Sequence, residues 1–255
     1  MKWRECQGVR WLEADLPGAR AAFSTRLGGV SEAPFDSLNL GALTADEPAL
    51  VRVNRGRLLA ALGLEVERVL AGRQVHGAEL ARHRGPQEPS PFAEPGTSEP
   101  PAVDGHMTAE PELAALVYVA DCLPIALAGP GGVAMLHCGW RGLAAGILAR
   151  GADAIAATHA VIGPGIGPCC YEVGEEVLGA FAGLGEGTAT GRMLDLPEVA
   201  RRLLQATGVG SIESAELCTG CEVELFFSHR RDAGRTGRQA GIVWLDGGVA
   251  ERCPA

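Results

Sequence analysis

Two histidines and one cysteine attract attention because each can ligate a metal and each comes at the end of a predicted strand. His76 lies in GRQVHG, Cys122 in VYVADCLP and His137 in AMLHCGW. Imidazole nitrogen and thiolate together suit zinc best among the common metals, and three protein ligands leave the fourth tetrahedral position open for water or substrate. These residue types therefore predict a catalytic zinc site.

The spacing of the three residues leaves two other interpretations open. Successive positions, 76, 122 and 137, lie 46 and 15 residues apart, so the chain offers no short ligand pair here. Each residue could simply pack the end of a strand, since cysteine is often buried. The same residues also fit a cysteine hydrolase, with Cys122 as nucleophile and His137 or His76 as its base. Metal content distinguishes the enzyme classes.

The elements that must position these residues are short strands mixed with helices. LAALVYVAD, GGVAMLHCGW, RAAFS and HAVIG predict strands, as do ELFFSHRRD and RQAGIVWL near the C-terminus. Helical spacing and end signals predict helices over 47–62, 141–157, 173–184 and 196–208. Because the order lacks a regular βαβ rhythm, we predict an α+β fold, with residues 1–255 forming a single domain.

Charge and hydropathy exclude several classes of partner. The formal net charge is -9, and the sequence pI of about 5.2 is low, which argues against binding to nucleic acid or anionic lipid. No apolar run has the length of a signal-peptide core or a membrane span, so we expect a cytoplasmic protein. Eight cysteines are too sparse for a secreted disulfide scaffold, which leaves metal binding or catalysis as their use.

Several long motifs carry a family resemblance that covers nearly the whole chain, from STRLGGVS to IVWL. QVHG, VDGHMT, ADCLPIAL, HCGWRGLAAGI, IGPGIGPCCYEVGEEV and SHRRDAGRTGRQAGIVWL, in this order, resemble the YfiH family, also called the laccase-domain or polyphenol-oxidoreductase family. The resemblance implies a layered fold of mixed β-sheets flanked by helices, similar to the catalytic domain of cytotoxic necrotizing factor. It also implies a single metal on His76, Cys122 and His137, expected as one zinc per chain, with copper as the alternative.

The resemblance further implies two activities on purine nucleosides, phosphorolysis and adenosine deamination. The expected substrates are phosphate with adenosine, inosine or methylthioadenosine, and the expected assembly is a monomer or a homodimer. A multicopper laccase needs four coppers fed largely by imidazoles, and six histidines in total do not supply them. The family has also been linked to editing of cell-wall precursors, and the sequence leaves that role open.

Phosphorolysis needs an anion site, and three arginines in motif segments are candidates for it. Arg26 lies in STRLGG, Arg141 follows HCGW, and Arg238 lies with Arg235 in GRTGRQ. Glycines beside them permit close approach of backbone to a ligand. Asp121, next to Cys122, is expected either to orient a metal-bound water or a ligand imidazole, or to cap a strand end.

The remaining cysteines are predicted to have no metal of their own. Cys169 and Cys170 lie in a Gly-Pro turn and are expected to line the site without taking part in catalysis. Cys218 and Cys221 form CTGC, which is half of a zinc ribbon. Because no second CxxC exists in the chain, the sequence predicts no four-cysteine structural site.

Overall fold

The computed structural model describes residues 1–93 and 99–247. Its strands are β1 (Lys2–Cys6), β2 (Val9–Leu16), β3 (Ala19–Ser24), β4 (Val69–Leu70), β5 (Leu80–His83), β6 (Gly105–Thr108), β7 (Ala114–Val119), β8 (Leu123–Gly129), β9 (Gly132–Cys138), β10 (His159–Ile162), β11 (Ala189–Thr190), β12 (Met193–Leu194), β13 (Ser211–Ser214) and β14 (Gln239–Leu245). Its α-helices are α1 (Pro48–Leu62), α2 (Trp140–Ala144), α3 (Ile147–Ile155), α4 (Glu175–Phe181) and α5 (Leu196–Ala206), with short 3-10 helices at Val66–Arg68 and Ala182–Leu184.

Most of the strands form two mixed six-stranded sheets. The first has the order β1-β2-β3-β14-β7-β4 and is antiparallel except for the pair β4 and β7. The second has the order β13-β10-β8-β9-β6-β5 and is antiparallel except for the pairs at its two edges. This arrangement confirms the α+β class and the mixed sheets. The similarity to the cytotoxic necrotizing factor domain stays a prediction.

The two sheets pack face to face, and the helices cover their outer faces. Phe23 and Val117 from the first sheet and Met135 and Val161 from the second share one buried cluster between the sheets. Helix α1 packs on the outer side of the first sheet, and α3, α4 and α5 pack on the outer side of the second. Burial of apolar surface on both faces explains why the central strands are continuous apolar runs.

Several local predictions are confirmed and two are wrong. Helix α1 ends at Gly63, which adopts a left-handed φ of 73°, and the Asp195 carboxylate accepts the backbone N–H of Glu198 as an N-cap. The single helix predicted over 141–157 is instead divided into α2 and α3 at Gly146, whose φ of 84° is incompatible with a continuing helix.

The strand predicted from ELFFSHRRD is the second error, since this segment forms turns. Phe226 and Phe227 are fully buried, which explains the apolar run without a strand. The backbone of Phe227 pairs with the amide side chain of Gln239, which accepts from its N–H at 2.9 Å and donates to its carbonyl at 3.1 Å. A side chain therefore satisfies the groups that a neighbouring strand would otherwise pair.

Two segments that cross from one sheet to the other carry residues of the candidate functional site. The segment between β4 and β5 leaves the first sheet and enters the second, and the short connection between β7 and β8 does the same. The first crossing carries His76 and the second carries Cys122. Among the described residues, no helix is both long enough and apolar enough to cross a membrane.

Candidate metal centre

The structure brings His76, Cys122 and His137 together. Their ligand atoms all lie within 4.8 Å of one another, and the two imidazole rings meet edge to face with centroids 4.8 Å apart. His137 projects from β9 and is buried, Cys122 is half-buried, and His76 is exposed. The donors therefore converge from a strand and two inter-sheet connections, with the most exposed ligand on the side open to solvent.

Asp104, immediately before β6, orients both histidines. Its carboxylate lies 2.8 Å from Nδ1 of His137, which directs the other ring nitrogen towards the centre. The same carboxylate accepts the backbone N–H groups of Val75, His76 and Gly77 at 2.7 to 3.1 Å. His76 itself has a φ of 60°, a conformation uncommon for a residue with a side chain. Asp104 thus holds one candidate ligand by its ring and the other by its backbone.

The ionisation of the site favours a thiolate in place of a thiol. Burial opposes charge on Cys122, but the adjacent His137 and His76 lower the pKa of the thiol to about 6. Burial likewise opposes charge on His137, yet Cys122 and Asp104 raise the pKa of the imidazole to about 9. These shifts describe a thiolate beside a protonated imidazole, and metal binding would use the thiolate and release the imidazole proton.

The space between Cys122 and His76 exists because residue 139 is a glycine. A Cβ atom there would lie 2.9 Å from Sγ of Cys122 and 3.3 Å from Cδ2 of His76. A glycine is therefore required between two of the three donors. The donor set, one thiolate and two imidazoles that Asp104 holds in place, fits a zinc or copper ion with an open coordination position.

A cavity of about 700 Å³ opens over the three donors. This volume lies within the range of cavities that bind small molecules. Its walls combine aromatic, glycine-rich and basic segments: Gly41–Thr44, Arg55, Ala71–Gln74, His76, Pro91, Glu99, Pro100, Tyr118, Ala120–Cys122, His137, Gly139–Arg141, Ile166, Tyr171, Leu196, His229, Arg230 and Arg238.

Two of the three predicted anion-binding arginines line this cavity. Arg141 lies over the ring of Trp140 at 4.3 Å, and Arg238 donates from Nη1 to the carbonyls of Thr236 and Gly237. Within the described part of the chain, no carboxylate lies within ion-pair distance of either guanidinium. Both cations therefore keep charge available for a ligand.

Arg26 and Asp121 are held by protein partners. The guanidinium of Arg26 forms an ion pair with Asp36 at 3.0 Å, lies over the ring of Phe227, and is outside the cavity lining. The carboxylate of Asp121 accepts from Oγ1 of Thr219 at 2.6 Å and from the backbone N–H of Arg230 at 2.7 Å. Asp121 thus ties the segment beside Cys122 to two other loops.

Sequence reasoning missed two features of this region. Asp104 lies in the VDGHMT motif, but its role depends on backbone contacts with 75–77 that no spacing rule reveals. The prediction that CTGC lacks partners for a four-cysteine site is wrong, because Cys169 and Cys170 meet Cys218 and Cys221 with all four sulfur atoms within 4.8 Å. An adjacent Cys-Cys pair in a Gly-Pro turn was the available signal.

The chain is thus an α+β protein of two packed sheets with a candidate His/Cys/His metal centre at their junction. Its sequence and fold were compared with those of known families. Residues 20–246 match the family described as multi-copper polyphenol oxidoreductase laccase. The chain belongs to this family, whose members include proteins named YfiH.

Relatives named after a purine activity cover almost the whole chain. The chain is 39% identical to "Purine nucleoside phosphorylase YfiH" of Escherichia coli strain K12, covering 89% of this chain and 94% of that protein. It is 38% identical to "Purine nucleoside phosphorylase YlmD" of Geobacillus stearothermophilus, covering 91% and 93%. The crystal structure of the Bacillus licheniformis hypothetical protein YfiH superposes with a TM-score of 0.85 at 32% identity, covering 96% and 99%.

Proposed function

We propose that the chain is a zinc-dependent purine nucleoside phosphorylase that also deaminates adenosine, acting in the cytoplasm as a single domain over residues 1–255. The observation that carries the proposal is that one cavity holds both the His76, Cys122 and His137 centre and the cations Arg141 and Arg238, which have no carboxylate partner among residues 1–93 and 99–247. The relatives named purine nucleoside phosphorylase support the same reaction. Adenosine, inosine and methylthioadenosine are the proposed nucleosides, and a monomer or homodimer is the proposed assembly.

In this proposal the walls of the cavity bind the base, and the metal centre at its floor supplies the reactive groups. Trp140 and Tyr171 line the cavity, and aromatic rings of this kind can pack against a planar purine base. The bound metal would supply Lewis acidity at the floor, which serves water activation for deamination and charge stabilisation as a purine leaves. Asp104 keeps His137 oriented with one ring nitrogen towards that centre, so the donors need little rearrangement during the reaction.

Phosphate would bind at Arg141 and Arg238. The backbone N–H of Arg238 donates to the Asn39 side chain at 2.9 Å, and a Cβ atom on Gly41 would lie 2.7 Å from Cγ of Arg238. The backbone hydrogen bond and the packing of Gly41 against the stem restrict this arginine, which reduces the entropy lost on binding an anion. Burial lowers the pKa of Arg238, but an arginine remains charged at neutral pH.

A metal-independent cysteine hydrolase is the second candidate, favoured by the pKa of about 6 for Cys122 beside a histidine. Editing of cell-wall precursors remains a third proposal for the same cavity. Measuring turnover of nucleosides and of muramyl-peptide precursors by the same protein distinguishes cell-wall editing from nucleoside phosphorolysis.

Metal analysis combined with product identification tests the proposal. We expect incubation of the purified protein with inosine and phosphate to give free base and ribose 1-phosphate. In the absence of phosphate, we expect adenosine to react with water and give inosine and ammonia. Chelation should abolish both reactions, and added zinc should restore them, because both use the same centre. Full activity after verified removal of metal would establish the cysteine hydrolase instead, and about four copper ions per chain would establish a multicopper oxidase.

The Arg238→Ala substitution should weaken phosphate binding selectively. Loss of a charge-assisted hydrogen bond costs about 1.5–3 kcal/mol, so we expect the KM for phosphate to rise roughly 10–100-fold while adenosine deamination changes little. Steady-state kinetics of the two reactions measures the difference. Equal loss in both reactions would indicate a role in folding.

Arg26→Ala is the matched comparison for this experiment, since its guanidinium is paired with Asp36 outside the cavity lining. A phosphate binding role for Arg26 stays a prediction from sequence. A larger rise in the KM for phosphate with Arg26→Ala than with Arg238→Ala would support that role and contradict the proposed site.

A further inference from the structure

The four-cysteine cluster is not part of the cavity lining and has no part in the proposed reaction. Cys169 and Cys170 follow the Gly-Pro turn after β10, and Cys218 and Cys221 belong to the CTGC turn after β13. Cys169 and Cys221 are exposed, and the other two are half-buried. All four have free thiols.

The four sulfur atoms lie within 4.8 Å of one another, which is close enough for them to bind one metal ion. Sγ of Cys221 lies 3.3 Å from Sγ of Cys169 and 3.5 Å from Sγ of Cys170. Zinc–sulfur bonds of about 2.3 Å in a tetrahedron separate neighbouring sulfurs by roughly 3.8 Å, whereas a disulfide joins them at about 2.05 Å. The observed separations are close to the first geometry and far from the second.

The backbone around the cluster also suits metal-bound thiolates. The N–H of Gly167 donates to Sγ of Cys218 at 3.2 Å, and such bonds stabilise negative charge on sulfur. A Cβ atom on Gly220 would lie 2.9 Å from both Cβ and Sγ of Cys170, so the CTGC turn can approach the Cys-Cys pair only with glycine there. The two turns are therefore shaped to meet.

We propose that Cys169, Cys170, Cys218 and Cys221 bind a second zinc ion in a closed, structural tetrathiolate site. Binding exchanges the four thiol protons for one Zn²⁺ and needs no oxidant or reductant. With four protein ligands no position is open for substrate, so this site is structural and fixes the two turns to each other.

The site would stabilise the wall of the cavity. Ile166 and Tyr171, on either side of the Cys-Cys turn, both line the cavity. On the other turn, Thr219 donates to Asp121, the neighbour of Cys122, at 2.6 Å, and its N–H donates to the carbonyl of Gly165 at 2.9 Å. The second zinc thus holds the loops on which one wall of the cavity depends.

Elemental analysis of the full chain and of two variants tests the proposal independently of the proposed function. Wild type should contain about two zinc ions per chain, and Cys221→Ser and His76→Ala about one each, because each variant empties a different site. Cys221 is exposed, so its replacement by serine disturbs little packing besides the proposed metal site. Unchanged zinc content in Cys221→Ser would overturn the four-cysteine site, whereas unchanged content in His76→Ala would contradict only the catalytic centre.

Cobalt substitution in a Cys122→Ser background gives a second readout. This variant has no thiolate at the catalytic centre, so sulfur-to-cobalt charge-transfer absorption must come from the four-cysteine cluster. We expect the band to persist and to be strongly reduced when Cys221→Ser is added. Absence of the band in Cys122→Ser, or a disulfide among the four cysteines in the protein as isolated, would overturn the proposal.

Discussion

Cys122→Ser should lose most nucleoside turnover together with most of the metal at the catalytic centre. A serine hydroxyl is a weaker and harder donor than thiolate, and it does not ionise near neutral pH. The loss of kcat/KM should exceed the roughly 10–100-fold range that follows removal of outer-shell partners. Cys138→Ala is the control, because Cys138 lies in the core beside the ligand His137 and should retain metal and activity.

Alkylation distinguishes a ligand from a nucleophile at the same residue. In the metal-free protein a thiol with a pKa of about 6 is ionised at neutral pH and should react quickly with iodoacetamide. A coordinated thiolate gives its lone pair to the metal, so labelling of Cys122 should be slow in the loaded protein and fast after chelation. Rapid labelling of Cys122 in the metal-loaded protein, or a covalent substrate adduct on its Sγ, would support the cysteine hydrolase instead.

Asp104→Asn should weaken metal binding by roughly 10–100-fold, as outer-shell substitutions do. The amide lacks the charge that supports the His137 imidazole, and it offers one oxygen where the carboxylate offers two to backbone N–H groups of 75–77. Competition with a zinc indicator measures the affinity. Unchanged affinity would show that the two histidines are oriented without this carboxylate.

The Glu79→Gln variant controls for loss of a negative charge near the same loop. Glu79 is exposed and pairs with Arg150 on the surface, so its substitution should leave zinc affinity unchanged. Stability of both variants should be measured in parallel, since Asp104 is fully buried and its loss also lowers the free energy of unfolding.

The fold class and the candidate metal donors were predicted for different reasons; the fold class is confirmed, and metal binding by the donors stays a prediction. Apolar periodicity and helix end signals are local properties, so the buried strands could be predicted from the first, and the Gly63 end of α1 and the Asp195 start of α5 from the second. The ligand set on His76, Cys122 and His137 came from family resemblance, since their separations alone do not specify a site. Gly146 divides a helix whose composition is otherwise favourable, and only its backbone conformation shows this.

Features that depend on contacts across the fold were not predictable in the same way. Asp104 acts through the three consecutive backbone amides of 75–77, which only the folded chain brings near it. Hydropathy does not predict that arrangement. The cysteine cluster combines two turns about 50 positions apart in the sequence, as 218 minus 169 is 49. Its adjacent Cys-Cys pair does not follow the CxxC spacing by which zinc sites are usually recognised.

The catalytic donors are far apart in the sequence, whereas the four cysteines come in two close pairs. This difference determines the order in which the two sites should bind metal during folding. A partly folded chain already has two thiols close together in Cys169–Cys170 and in CTGC, so the cysteine cluster can take up zinc early. The catalytic donors meet only after β9 has paired with β6, where the N–H of His137 donates to the carbonyl of Asp104 at 2.7 Å. We therefore expect the catalytic centre to fill last, so that scarcity of zinc during biosynthesis yields folded protein that is inactive until metal is supplied.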